Sequence, residues 1–288
     1  MLSAEEVAAV DAALGTKGSA VADELLYTVP LPRNDLSVTI QGDPVPVPFG
    51  FGGWASFKKA RDGRTTMAMG DTVLVQEEVN PVITAAQAGQ VQVTAIHNHF
   101  FWEEPRIFFM HLHAMGEDVG ELAQRYSAAI LPSRLHPKNQ PPPKPFTGAG
   151  ASERFALPEL DGIVGSKGAV NGPVYKYTIG RPDLTVVAMD TVISAAIGMN
   201  SWAAFAGDMK RAHVAGDIAM LEAEVNPVIA ALRRNNLDVV AVHNHMLGER
   251  PRIIFLHYYG TGAAPALARG FRAALDELGG HGKAMAAG

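Results

Sequence analysis

The chain has 288 residues, of which 48% are hydrophobic and 18% charged, the composition of an ordinary globular protein of about two domains. The 24 Lys and Arg residues and the 29 Asp and Glu residues give a net charge of −5 and a pI near 6.1, which argues against nucleic acid as a partner. The sequence contains no cysteine, so disulfides, thiolate nucleophiles and zinc sites built on sulfur are excluded, and any metal must be held by His, Asp or Glu.

The first 14 residues predict an acidic amphipathic helix rather than an export signal. Ser3 is a candidate N-cap, and Glu6 stands three residues later, as in a capping box. No apolar run approaches the roughly 18 residues that a membrane span needs. We therefore expect no membrane span. The expected location is cytoplasmic for the sequence as written, and secreted or periplasmic if a signal peptide was removed.

The sequence contains a long internal repeat. The segment A-I-H-N-H-F-F-W-E-E-P-R-I at residues 95–107 aligns without a gap with A-V-H-N-H-M-L-G-E-R-P-R-I at residues 241–253, an offset of 146 residues. At the same offset E-V-N-P-V-I occurs twice, and Gly70-Asp71 matches Gly216-Asp217. The offset grows to 148 residues at Trp54 and Trp202, as small loop insertions would produce.

We therefore predict a tandem duplication of one domain. The first copy covers residues 1–131 and the second covers residues 153–280, with a Pro-rich linker at 132–152 and a flexible tail at 281–288. Repeats of this length are not a solenoid, whose units have about 20 to 50 residues. The two copies are expected to pack about a pseudo-twofold axis, and homodimer formation is left open.

Hydrophobic periodicity predicts the elements of each copy. In the second copy, residues 174–179 and 184–192 are expected to form a hairpin, and residues 194–207 are unassigned. Strands at 239–243 and 252–258 lie between two helices, at 223–235 and 265–278, and the first of these helices has its counterpart at about 77–88. This grouping indicates an α+β fold, with a two-layer sandwich of helices on a mainly antiparallel sheet in each copy.

Seven of the 10 histidines stand at matched positions of the two copies: His97, His99, His111 and His113 in the first, and His243, His245 and His257 in the second, where Tyr259 replaces the fourth. Alternate residues of a strand share a face, so each set is expected on one face. A turn centred near Glu104 would set His97 opposite His111, and a turn near Arg250 would set His243 opposite His257.

Converging neutral imidazoles with an open coordination position are typical of catalytic zinc sites. We therefore predict a divalent metal in each copy, zinc first, with iron, manganese or copper as alternatives. Glu103 and Glu249 are the candidate catalytic residues, which would take a proton from metal-activated water or act as ligands. Arg106, Arg252 and Tyr259 are candidate substrate-binding residues. For the two arginines, an ion pair with a neighbouring Glu is the alternative.

The leading hypothesis is a metal-dependent hydrolase acting on a small polar substrate. The alternatives are a non-catalytic protein that binds a metal or small ligand in a cleft between the copies, and a structural module whose histidines hydrogen-bond to the backbone. Two known motifs fit poorly. His-Asn-His is contiguous here, unlike the dispersed residues of the nuclease motif of that name, and a helix directly precedes the His-x-His strand, unlike the all-β cupins.

Four motifs of the second copy together resemble one known family. They are E-V-N-P-V at 224–228, V-x-A-V-H-N-H-M-L-G-E-x-P-R at 239–252, F-L-H-Y at 255–258 and L-A-R-G-F-R-A-A-L-D at 267–276. They are similar to the DUF1259 family, which includes LppY/LpqO-type lipoproteins, and the first copy resembles a more divergent member. The resemblance implies no settled reaction. Members often carry export or lipoprotein signals, and the first copy has Leu112-His113 where the family usually has two aromatic residues.

Overall fold

The structure is a computed structural model that describes residues 1–143 and 146–279. The predicted flexible tail at 281–288 lies outside these residues. The helices and strands of the first copy are α1 (Ala4–Leu14), β1 (Ser19–Val21), β2 (Leu26–Pro32), β3 (Val38–Ile40), β4 (Asp43–Val45), β5 (Gly52–Lys59), β6 (Thr66–Val75), α2 (Gln76–Ala88), β7 (Gln92–His97), β8 (Glu103–Glu104), β9 (Ile107–Gly116) and α3 (Val119–Ile130).

The second copy repeats nearly the same order. Its elements, preceded by the short helix α4 (Ala151–Arg154), are α5 (Leu157–Val164), β10 (Ala169–Asn171), β11 (Val174–Gly180), β12 (Val186–Ala188), β13 (Thr191–Ile193), β14 (Asn200–Gly207), β15 (Ala212–Met220), α6 (Val225–Arg234), β16 (Asp238–His243), β17 (Ile254–Gly262) and α7 (Ala264–Leu275). Among the described residues, no helix is long and apolar enough to cross a membrane.

Each copy is built on a six-stranded antiparallel sheet. The strand order is β1-β2-β5-β6-β9-β7 in the first copy and β10-β11-β14-β15-β17-β16 in the second, so corresponding strands take corresponding places. Helices α1, α2 and α3 pack together on the first sheet, and α5, α6 and α7 pack together on the second. The predicted α+β fold and its tandem duplication are confirmed.

The apolar sheet faces turned away from the helices meet each other. Met67 and Met69 of the first copy are buried in one cluster with Ile197, Met246 and Phe255 of the second. In a second cluster, phenylalanines of the first copy are buried together with residues of β14, β15 and β17 of the second copy. The molecule therefore has four layers, with helices outside and the two sheets inside. All nine residues of the central strand β15 are buried as a result.

The N-terminal helix begins as the sequence predicts. The Ser3 hydroxyl accepts a hydrogen bond from the Glu6 backbone N–H at 3.1 Å, and the Glu6 carboxylate accepts one from the Ser3 N–H at 2.7 Å. This reciprocal pair is the capping box, which satisfies two N–H groups that a helix start otherwise leaves free. The helix ends at Gly15, whose backbone is left-handed, as C-terminal glycines often are.

The prediction of a hairpin at residues 174–192 is wrong. Strand β11 pairs with β14, with Thr178 opposite Trp202, whereas β12 and β13 form a small hairpin of their own. Met189 and Asp190 both have positive φ angles and close the tight turn of that small hairpin. The true partner of β11 thus lies in the segment at 194–207 that the sequence left unassigned, which contains β14.

The predicted pairing of the histidine strands is displaced by two residues. His97 lies opposite Phe109 and His243 opposite Phe255, rather than opposite His111 and His257. The nine residues after His97 form a wide loop, part of which (β8) pairs with β3, so the two strands are not joined by a tight turn. A shift of two residues keeps every side chain on its predicted face, because the strand period is two.

The first part of the predicted linker packs along the first copy. Leu135 and His136 are buried, and the His136 ring lies 2.9 Å from the Ser127 hydroxyl. The backbone N–H of Arg134 donates to the Glu78 carboxylate at 2.7 Å. These contacts fix the start of the connection between the copies.

A buried arginine–glutamate pair joins the second sheet to the start of α6. Arg181 donates to Glu224 at 2.8 Å, and the Leu221 N–H donates to the same carboxylate at 2.7 Å. Burial opposes ionisation of Glu224, but these hydrogen bonds hold its pKa below the usual range. Arg33 and Glu78 form the same pair in the first copy, also at 2.8 Å.

Arg181→Met should lower the free energy of unfolding by about 3–5 kcal/mol, because Glu224 would remain buried without its cation. Denaturant unfolding at neutral pH measures the loss. The control is Arg61→Met, which removes an exposed ion pair with Asp190 and should cost less than about 1 kcal/mol. Equal losses in the two variants would contradict a structural role for the buried pair.

Candidate functional site

Six histidines from both copies meet between the two sheets and form what we call the histidine cluster: His97, His99, His111, His243, His245 and His257. The closest rings belong to different copies. Ring centres are 3.7 Å apart for His97 and His243, 3.6 Å for His99 and His257, and 4.0 Å for His111 and His245. The sequence predicted one set in each copy, and the structure places both sets side by side.

Four of these histidines can approach one ion together. One ring nitrogen from each of His97, His243, His245 and His257 lies within 4.8 Å of the corresponding atoms of the other three. One of the four comes from the first copy and three come from the second. His113 is buried further along β9 but is not a member of this group, and Tyr259 hydrogen-bonds to His213 at 2.8 Å.

A matched glycine–aspartate pair lies beside the cluster. Asp71 stands opposite His111 across strands β6 and β9, and Asp217 stands opposite His257 across β15 and β17. The Asp217 carboxylate lies 3.3 Å from Nε2 of His245 and 3.9 Å from Nε2 of His257. In the first copy Asp71 lies 4.0 Å from Nε2 of His111.

Glycine is required before each of these aspartates. A Cβ atom at Gly70 would collide with the Tyr126 hydroxyl and the Trp54 carbonyl, and one at Gly216 would collide with the Tyr258 hydroxyl and the Trp202 carbonyl. The glycine thus lets the neighbouring backbone approach closely. Because strand residues alternate, the aspartate that follows turns to the opposite face, where the histidines lie.

Burial opposes the charged form of four clustered imidazoles, those of His97, His99, His111 and His257. It lowers the pKa of His97 to about 3, with a further contribution from His245. Burial likewise places the pKa values of His99, His111 and His257 well below their usual range, assisted by the neighbouring imidazoles. The Asp71 carboxyl shifts in the other direction, since burial and the nearby Asp217 raise its pKa well above the usual value.

Many of the cluster's ring nitrogens lack hydrogen-bond partners within the described part of the chain. They are Nδ1 of His97 and His111, both nitrogens of His99 and His243, and Nε2 of His245 and His257. Buried polar atoms nearly always have a partner in folded proteins. Within the cluster, Nε2 of His97 and Nε2 of His111 do have a partner, because they lie 3.0 Å from each other.

A cavity of about 620 Å³ opens beside the cluster, and we call it the central cavity. Residues of both copies line it, including Trp54 of the first and Trp202 of the second. Its polar lining consists mainly of four members of the histidine cluster, the two aspartates, one lysine and several neutral side chains: His99, His111, His245, His257, Asp71, Asp217, Lys176, Thr28, Thr178, Asn171 and Asn200. A ligand in this space would touch both copies.

The central cavity is not lined by the four charged candidates from the turns, which are Glu103, Arg106, Glu249 and Arg252. Glu103 accepts a hydrogen bond from the Ile107 N–H at 3.3 Å, and Glu249 accepts one from the Ile253 N–H at 3.2 Å. Arg106 lies 3.8 Å from Glu103, and Arg252 lies 3.5 Å from Glu249. The arginines therefore form the ion pairs that were the alternative to substrate binding.

Sequence reasoning missed three functional candidates in the central cavity: Asp71, Asp217 and Lys176. The two aspartates carried a usable signal, because the Gly-Asp pair repeats at the same offset as the histidines. Lys176 carried none. The corresponding residue of the first copy is Thr28, since the neighbouring Tyr27 and Tyr175 make equivalent hydrogen bonds to Asp11 and Asp161.

The sequence model of the family described as Domain of Unknown Function (DUF1259) matches residues 8–131 and again residues 158–277. The chain belongs to this family. The two matches coincide with the two copies in the structure, so this DUF1259 protein is a fused pair of family domains. No curated protein matches the chain significantly.

Two solved structures show weak similarity to this DUF1259 protein. One is EtuB from Clostridium kluyveri, with 9% identity, coverage of 93% of each chain and a TM-score of 0.23. The other is the trimeric bacterial microcompartment shell protein PduB, with 11% identity, coverage of 90% of this chain and 89% of that one, and a TM-score of 0.20. Scores this low carry no conclusion about fold or function.

The buried histidines predict acid sensitivity of the metal-free protein. His113 is 1% exposed, and burial lowers its pKa from 6.5 to about 3. Between these values the unfolded chain binds a proton that the folded chain does not, so stability falls as the pH falls. Each such histidine contributes a slope of about 1.4 kcal/mol per pH unit.

His113→Gln should therefore flatten the pH dependence of unfolding by about this slope between pH 6 and 4, after chelation. Urea unfolding at several pH values measures it. Above about pH 6.5 this histidine is neutral in both states, so the variant should show no altered slope there. An unchanged slope below pH 6 would contradict a buried, neutral His113.

Proposed function

We propose that this protein binds one divalent transition-metal ion between its two copies, and that the central cavity is the active site of a metal-dependent hydrolase for a small polar substrate. The observation that supports it best is the approach of His97, His243, His245 and His257 within 4.8 Å across the copy interface. Zinc is the first choice because imidazole suits it, and iron, manganese and copper are the alternatives.

The residues of the cluster fit such an ion. Imidazoles must be neutral to act as ligands, and burial lowers the pKa values of His97, His243 and His257, which favours their neutral forms. Their unpartnered nitrogens are free to bind a metal. Ligand atoms around an ion at about 2.0–2.1 Å stand about 3.3 Å apart in a tetrahedron. Separations of up to 4.8 Å therefore require only small side-chain shifts.

The overlap between the four-histidine group and the central cavity favours catalysis. His245 and His257 belong both to the four-histidine group and to the cavity lining, so a substrate in the cavity would reach the ion. When bound by these histidines, a divalent ion would supply an activated water and polarisation of the bond to be cleaved. Asp217 lines the same cavity 3.3 Å from His245 and is our candidate general base.

Asp71 is our candidate general acid. Burial and the neighbouring Asp217 raise its pKa well above the usual value, which favours the protonated form that a general acid needs. Two carboxyl groups in different environments divide acid and base roles in this way in other hydrolases. The candidate acid comes from the first copy and the candidate base from the second, which would make the duplication necessary for activity.

A non-catalytic binding protein is the second candidate. Four protein ligands complete a tetrahedral site, and closed coordination is typical of structural zinc rather than catalytic zinc. The central cavity would then hold a ligand without converting it.

A single shared site predicts about one metal ion per chain in protein purified without a His tag. His97→Ala should remove most of it, although the other three ligands belong to the second copy. Elemental analysis after dialysis measures the metal content. His136→Ala, at a buried histidine outside the cluster, should retain the metal. Two ions per chain, with one retained in His97→Ala, would support separate sites in the copies instead.

Asp217→Asn should lower kcat by about 10²- to 10⁴-fold while the metal content stays unchanged. The assay is steady-state hydrolysis of nitrophenyl carboxylic and phosphoric esters by the metal-loaded protein. Asp190→Asn, at an exposed carboxylate, is the control. A larger loss in Glu249→Gln than in Asp217→Asn would assign the base to the turn glutamate, and turnover of no ester would favour the binding protein.

A further inference from the structure

Lys176 is the only lysine or arginine among the described residues that line the central cavity. It belongs to β11, and its ammonium nitrogen lies 4.4 Å from the centre of the Trp202 ring. This is a cation–π contact, which holds the charge against an aromatic face without satisfying its hydrogen-bond donors. The lysine is therefore oriented, and its N–H groups remain available.

No described residue forms an ion pair within 4.0 Å or a hydrogen bond with the Lys176 ammonium group. Burial lowers the pKa of Lys176, while Asp217 and Asp71 act in the opposite direction. Charged side chains that are taken out of bulk water are normally paired. The cavity thus holds a cation whose counter-charge is not supplied at contact distance by the residues around it.

The positive charge of Lys176 has no counterpart at the matched position of the first copy. At the corresponding position the first copy has Thr28, which hydrogen-bonds to Ser56 at 2.8 Å. The cavity has a tryptophan, an aspartate and two histidines from each copy, but it has a basic group on one side only. A ligand bound there would have one defined orientation.

We propose that the central cavity binds a small organic anion and that Lys176 binds its carboxylate or phosphate group. The tryptophan faces of Trp54 and Trp202 would contact the remainder of the molecule, since aromatic side chains provide broad apolar surfaces. The inference shares its cavity with the proposed function and names the substrate class for it. Arg106 and Arg252 do not compete for this role, because they lie outside the cavity beside Glu103 and Glu249.

The test compares anionic and neutral probes of the same shape. Benzoate and phenyl phosphate are the anions, benzamide is the neutral analogue of benzoate, and isothermal titration calorimetry of the untagged full chain measures affinity. The wild-type protein should bind at least one anion about tenfold or more tightly than benzamide. Benzoate and phenyl phosphate together show whether the site prefers a carboxylate or a phosphate.

Lys176→Met should weaken binding of the anion by about 10- to 100-fold and leave benzamide binding unchanged. Lys176→Arg should keep much of the affinity for the anion, because the positive charge is retained. The matched control is Lys58→Met, which removes a partly buried lysine that bonds to Val192 and Ser194 outside the cavity. Thermal unfolding checks that each variant is folded.

The same titrations after chelation distinguish anion binding by the lysine from anion binding by a metal ion. Anion binding that persists without metal and is lost in Lys176→Met supports the proposal even if the hydrolase proposal fails. The proposal is overturned by equal anion affinity in the wild type and Lys176→Met. Affinity that chelation abolishes and Lys176→Met does not change also overturns it, as does a failure of both anions to bind at about 10 mM.

Discussion

The packing of six imidazoles between two sheets, five of them from buried residues, is the constraint on which the rest of the molecule depends. A buried polar group without a partner costs about 1–3 kcal/mol, and the histidine cluster contains eight such nitrogens among the described residues. The apolar contacts of the surrounding interface must offset that cost. Side chains such as Met69, Ile197 and Phe255 bring the sheets together, and the cluster is held where they meet.

The duplication gives this interface its chemistry. Each copy has a helix-covered face and an apolar face that carries an aspartate and several histidines, four in the first copy and three in the second, and packing the two faces together brings these groups side by side. Identical halves would give a symmetric site. Here Lys176 occupies the position that corresponds to Thr28, and Tyr259 occupies the position that corresponds to His113, so the halves are chemically different. In the proposed enzyme, that difference would orient the substrate and would let the two aspartates take separate roles.

Local sequence features predicted local structure well. The capping box at Ser3 and Glu6, the α+β class and the duplication follow from short-range pattern and from repetition, and the structure confirms them. Strand parity placed the histidines on one face even though the pairing was displaced by two residues. The failed hairpin at residues 174–192 shows the limit, because β-rich composition identifies a strand but not its partner.

The site was harder to predict than the fold because it depends on what covers each face. Parity shows that His97 and His243 point inward, but only the packing of the copies shows that their rings lie 3.7 Å apart. The repeated Gly-Asp pair could have indicated the aspartates, whereas a lysine on one strand gives no sign of the cavity around it. The most direct measurement is anomalous X-ray diffraction at the metal absorption edge, from crystals of the metal-loaded protein. The shared site predicts one peak among His97, His243, His245 and His257, whereas one peak within each copy, or no peak after reconstitution, would contradict it.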